Sequence, residues 1–409
     1  MTHRILLRGI SWDHPRGLAP LRATLPEYAI QEPAVRIEWD ARSLLRFGED
    51  PLEVLAERYD LLVIDHPFVG FGAVTRCILP LDTLLPRDGL QALADTSVGP
   101  SYRSYLWADH LWALPIDTAA QVSVVREDLL AAAGETVPGS WVEVLGLGRR
   151  LRSRGMAIAL PMIHTDLVPT LYTLAASLGE EVLRVPDREV LTRPVMDRVL
   201  DLLLELRDVS HPDAVRLDPP TLLDRMSTDD EIAYCPLAFG YSNYSREGFR
   251  RTRLRFTDIP STGSRPRGAT LGGAGIAVSA RCEAPSEAAR YAMWLASAPT
   301  QRGGYFASGG QPAHRDAWLD PALDAQTLGF FDGTRASLDL AFLRPRWPGY
   351  MTFQDLIGPE LHKFVLGEST RLELVDRLEE ARIESQRVRA ALEVGRGMRG
   401  ASLEHIRSL

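Results

Sequence analysis

Apolar positions along the first hundred residues switch between strand and helix spacings, which predicts strands and helices taken in turn. The run RILLRGI predicts a short strand stopping around Gly9 and Ser11. Residues 17–28 carry an amphipathic helical pattern limited by Pro20 and Pro26. AVRIEWDAR gives a second strand with Val35, Ile37 and Trp39 on one face. YDLLVIDHP is the clearest strand, apolar without interruption until Asp65, His66 and Pro67. An unbroken apolar run is what a parallel strand covered on both faces requires. In an open α/β sheet such strand ends are where ligands bind.

Further on, SYRSYLWADHLWALPID predicts two short strands around a turn at residues 108–110. QVSVVREDLLAAAG begins as a strand and continues as a helix with Gly134 near its end. VPGSWVEVLGLGRRLRSRG predicts a helix capped by Ser140. IALPM is a short strand, LVPTLYTLAASLG is helical, and REVLTRPVMDRVLDLLLELRDV carries the stripe Val195, Val199, Leu202, Leu203 and Leu206. EIAYCPLAFGY reads as a buried strand running into a turn. Residues 250–270 change character to arginine, proline and glycine, as a connection between domains would. GGAGIAVSARC returns to strand, and a helix opens near Pro285 and Ser286. The last 60 or so residues are helical, with Leu372, Val375, Leu378 and Ile383 at a 3.6-residue period.

Composition narrows the classes. A chain of 409 residues with 45% apolar and 24% charged residues can bury two ordinary cores without a metal or disulfide to hold it together, and no cofactor is expected. A formal net charge of -8 argues against a nucleic-acid partner. Lys363 is the sole lysine, so arginine supplies the other basic positions. Cys77, Cys235 and Cys282 lie far apart without CxxC spacing, which leaves three thiols or one disulfide open. No run of eighteen apolar residues is present, so membrane insertion is not expected.

Three segments together resemble a known family. LWALPIDTAAQVSVVREDLLAAAG, followed by VPGSWVEVLGLGRRLRSRG, is similar to a pattern in which an apolar-aromatic pair precedes an ALP-x-D turn, a strand, a helix, a proline-tryptophan turn and another helix. YDLLVIDHP and TLGGAGIAVSARCEAPSEAARYAMWLAS are the other two. In order and spacing they resemble the family 1 extracellular solute-binding proteins of ABC importers, the group containing maltose-binding proteins. The resemblance spans residues 1–370. It implies an α/β, type II periplasmic-binding-protein-like fold whose two lobes are joined by hinge strands. Lobe 1 would comprise residues 1–112 and 270–314, and lobe 2 residues 113–269 and 315–409, with crossings near 111–117, 256–271 and 312–321. It further implies a monomer that reversibly binds a small polar solute, carbohydrate first, closes on it by hinge rotation, and hands it to permease subunits. No secretory leader is visible before the first strand, so the chain as written is expected in the cytoplasm. A removed leader would place it in the periplasm or outside the cell. The alternatives are a cytoplasmic carrier or sensor for an organic acid, and a hydrolase.

Candidate site residues follow strand ends and turns. Trp12 offers a ring face for a sugar, flanked by Ser11, Asp13 and His14; alternatively Trp12 is core and Asp13 a cap. Asp65 and His66 present two polar side chains that are costly to bury unanswered, unless Asp65 caps a helix. Asp117, with Thr118, lies at the first crossing, as cleft floor or hinge, and Asp166, with Thr165, follows IALPM. Tyr241, Asn243 and Tyr244 line a cleft or pack a surface turn. Gly272 and Gly273 allow close backbone approach and open a strand, unlike a dinucleotide fingerprint. Arg346, with Arg344, suits a carboxylate, and Trp347 suits a sugar face. GxSxG is absent, so no catalytic residue is assigned.

Overall fold

The computed structural model describes residues 4–263 and 265–397. Its sheet strands, in chain order, are β1 (Ile5–Trp12), β2 (Val35–Arg42), β3 (Leu61–Ile64), β4 (Leu114–Val125), β5 (Ala157–Ile158), β6 (Ile232–Phe239), β7 (Arg255–Thr257) and β8 (Leu271–Val278). They run in the order β2-β1-β3-β8-β4-β6-β5, with β7 also on β4. β1, β2 and β3 are parallel, whereas β8 enters antiparallel between β3 and β4.

β4 belongs to two sheet halves. Its first part pairs with β8, from Leu114 opposite Ile276 to Ala120 opposite Leu271; its second part pairs with β6 and β7 between Gln121 and Val125. Two hydrophobic clusters lie along it. One gathers Leu7, Ile37, Leu62, Ile116, Ile276 and Tyr291, and the other Val124, Leu171, Leu203, Leu237, Phe256, Phe331 and Leu361. All twelve residues of β4 are buried, as a strand covered on both sides must be.

Local chemistry sets the elements. Ser140 and Glu143 form a capping box at the start of the Trp141–Arg152 helix. Ala108 and Asp109, both at positive φ, turn the short hairpin of Leu106–Trp107 and His110–Leu111. The prolines split residues 17–28 into α1 (Pro15–Ala23) and a second helix (Leu25–Gln31) that meet at Thr24. The arginine-rich stretch expected to cross between lobes contributes β7, Ile259 and Ala269 to the second cluster, and the chain crosses after it, along β8. The final helix, Arg371–Gly397, buries Leu374, Leu378, Ala381 and Ser385, so that of the expected stripe Leu378 is buried and Val375 half-buried. Leu372 and Ile383 face solvent, because the true face runs at spacings of four, three and four from Leu374.

Candidate ligand-binding site

A cavity of about 530 Å³ lies between the clusters, within the range of small-molecule sites. Its floor comes from β4 and β8, joined by a bulge next to Gly275. At Gly273, φ is +109°, and a Cβ there would stand 2.5 Å from the Asp117 carbonyl oxygen. Only glycine lets the two strands approach so closely while leaving backbone against the cavity.

One wall belongs to the first cluster. Trp12, at the end of β1, is 5% exposed, packs on Gly17 of α1, and stands 5.1 Å from the Phe47 ring, which caps the cavity with Leu44 and Leu45. Arg16 projects from α1 to the floor. Its Nε donates to Asp117 Oδ2 at 2.7 Å, its Nη2 donates to Asp117 Oδ1, and its Nη1 donates to the Gly240 carbonyl at 2.7 Å. The guanidinium also lies 4.8 Å from the Tyr241 ring centre. Burial works against the charge of Arg16, but the Asp117 carboxylate outweighs it and holds the guanidinium above its usual range.

Asp65, at the end of β3, accepts from Arg344 Nη2 on both oxygens, at 2.8 and 2.6 Å. It also accepts from the His66 backbone N–H at 2.8 Å, the cap geometry expected as its alternative role. Burial opposes its ionisation, but Arg344 and then His66 outweigh burial and hold it well below the ordinary carboxylate range. Arg344 follows Phe342 of the second cluster, so this ion pair ties the two sides together.

The opposite wall comes from α2, the His164–Ser177 helix, with His164, Thr165 and Asp166 in its first turn, and from Asp218, Phe239 and Tyr241. Asp166 is 8% exposed, and burial and then the Asp218 charge push its carboxyl up to about 7. Gln354, Asp355, Gly358 and Pro359 complete the lining.

Of the expected site residues, Trp12, Asp65, Asp117, Asp166, Tyr241, Gly272 and Gly273 border this cavity, and so does Arg344. The others do not. Asp13 is exposed, and His14 caps α1, its Nδ1 accepting from the Arg16 backbone N–H at 3.0 Å. Burial and then Arg16 lower the His14 imidazole to about 4, which keeps that acceptor neutral. His66 is buried behind Asp65, with Nδ1 3.1 Å from Asp65 Oδ1. Asn243 Nδ2 donates to the Gly309 carbonyl, and the Tyr244 hydroxyl donates to Pro220 and Asp224, so both are packing residues. Arg346 Nη1 donates to the Leu106 carbonyl at 2.8 Å, and Trp347 is packed edge-on against Tyr350.

With this geometry, likeness to solved structures is extensive. Maltose-bound MalE3 of T. maritima aligns at TM-score 0.77 and 18% identity, covering 93% of this chain and 99% of that one. An ABC transporter solute-binding protein of Agrobacterium radiobacter in complex with ribitol aligns at 0.77 and 20%, covering 94% and 98%. The fold is that of the periplasmic binding proteins. A third example is the GacH receptor of Streptomyces glaucescens, studied unliganded and with acarbose, at 0.76 and 15%, covering 93% and 98%. No family model matches the sequence, and no curated protein does.

In this binding-protein fold the junction of the lobes centres on Gln311, which sequence reading missed. Its Nε2 donates to the Thr118 carbonyl at 2.7 Å and the Gly240 carbonyl at 3.2 Å, while its Oε1 accepts from the Ser242 N–H at 2.9 Å. One fully buried amide therefore joins β4 to the turn after β6.

Proposed function

We propose that the protein reversibly binds a small polyhydroxylated solute, a carbohydrate or sugar derivative, in the interlobe cleft and closes on it for ABC-type uptake. The observation that carries this reading is the composition of the cleft walls. Trp12 and Phe47 supply ring surface on one wall and Phe239 and Tyr241 on the other, where Asp166 and Asp218 add acceptors. A sugar needs both, since its C–H faces are apolar and its edges polar. The neighbours in fold captured with maltose, ribitol and acarbose support it. An organic acid fits less well, because Arg16 and Arg344 already spend their forks on Asp117 and Asp65.

A thermal-shift series with maltose, ribitol, sorbitol and gluconate tests this. A neutral polyol or sugar is expected to raise the melting temperature saturably, and Trp12→Ala to weaken it by about 1–3 kcal/mol, the scale of a buried aromatic contact. A saturable shift with gluconate alone would overturn the reading.

A further inference from the structure

The carboxylates of the cleft differ in what answers them. Asp117 and Asp65 each face a guanidinium. Asp166 and Asp218 border the same cavity from the second lobe under other terms. Asp166 is withdrawn from water, and among the described residues its carboxylate accepts only from Thr165 Oγ1, at 3.3 Å, and pairs with no cation. Asp218 Oδ1 accepts from the Thr221 N–H at 2.8 Å as the cap of the Pro219–Thr228 helix.

An acid in the first turn of a helix ordinarily answers the helix dipole from the solvent side. Asp166 is buried instead, where a carboxylate without a counter-charge costs folding free energy. It does not cap its helix either, since that position belongs to Ile163. Its neighbour adds to the cost: Asp218 and burial both disfavour its charge. The group that would relieve two carboxylates lining one wall of the cavity is an ammonium. The rest of the cleft accepts a cation. Asp117 and Asp65 neutralise its two guanidiniums, and Trp12, Phe47 and Tyr241 offer negative ring faces.

We propose that the solute carries a protonated amine on its hydroxylated frame, an amino sugar or amino polyol, and that Asp166 and Asp218 hold that amine. This rests on the reading of the cleft as a polyol site and names the feature that selects among polyols.

Titration calorimetry at pH 7 with matched pairs separates the two ideas: sorbitol against glucamine, glucose against glucosamine, and 1,4-diaminobutane as an amine without hydroxyls. The amino member is expected to bind at least about tenfold tighter than its hydroxyl twin, a difference of about 1.4 kcal/mol. Asp166→Asn is expected to abolish that preference, read as the ratio of the two affinities within each pair, and Asp218→Asn, which keeps a capping side chain, to reduce it. If the hydroxyl twins bind as well as the amino members, the amine is wrong and the polyol reading stands. Binding of 1,4-diaminobutane alone would uphold the ammonium site but remove the hydroxylated frame. No binding by any of these compounds would overturn both.

Discussion

Asp117 and Asp166 are the same side chain, buried in the same cavity, under opposite circumstances. Asp117 sits on the floor with both oxygens gripped by the Arg16 fork, which is itself held by the Gly240 carbonyl and the Tyr241 ring. Asp166 sits on the wall with a threonine hydroxyl for company and another acid for a neighbour. The fold has solved the electrostatics of the floor internally and left those of the wall unsolved. A buried charge that the protein answers itself is part of the framework, whereas one it leaves unanswered marks where something else is to bind.

The comparison can be broken at either end. The largest effect is expected from Arg16→Ala, which strands Asp117 without its counter-charge and should cost about 3–5 kcal/mol in urea unfolding. Asp117→Asn in the same chain should recover part of that loss. If Arg16→Ala alone costs under about 1 kcal/mol, the floor is not the framework described.

Asp166→Asn should act in the other direction and stabilise the ligand-free protein. The carboxyl ionises near pH 3.8 when unfolded and is raised to about 7 when folded. The folded state therefore holds the extra proton between those values, and stability falls as pH rises through that window. The advantage of Asp166→Asn should be absent below about pH 4, grow through neutrality, and reach about 2–4 kcal/mol above pH 7. Melting curves from pH 4 to 8 check this, and an advantage independent of pH would contradict the assignment.

The smallest effect sharpens the contrast. Asp218→Asn should change stability at pH 5 by under about 0.5 kcal/mol, because asparagine caps as well as aspartate. It removes the like charge and lowers the folded-state ionisation of Asp166, so with the two substitutions combined the Asp166→Asn advantage should stop growing at a lower pH and the midpoint of its rise should move down, its onset near pH 4 unchanged. An unmoved midpoint would mean that burial alone governs Asp166.

Sequence reading reached one side of this contrast more readily than the other. The continuous apolar run before Asp65 exposed β3 and its cavity-facing end, because a doubly covered strand leaves a local signature. Trp12 was legible as an aromatic ring among polar neighbours at the end of β1. Arg16 was not, since it stands just before the helical pattern of residues 17–28 and its partner lies across the chain at Asp117. Asp218, Gln311 and Gln354 likewise owe their positions to packing between distant segments. The YSNY run misled in part, because the short 3₁₀ turn of Ser242–Ser245 sends Asn243 and Tyr244 away from the cavity that Tyr241 borders. Arg346 and Trp347 were near misses: Arg344, two residues earlier, is the one that reaches the cleft.

The threading of β8 between β3 and β4 also sets a timetable for synthesis. On the ribosome, β1, β2 and β3 emerge first, yet the strand that completes their sheet is Leu271–Val278. It arrives only after the second lobe's β6 has been made, and Tyr291 and Tyr305 of the first core come later still. The second core in turn waits for Phe331, Tyr350 and Leu361. The first lobe cannot finish folding until most of the second has been made, so the nascent chain must carry an unpaired β3 edge and exposed apolar surface through most of its translation.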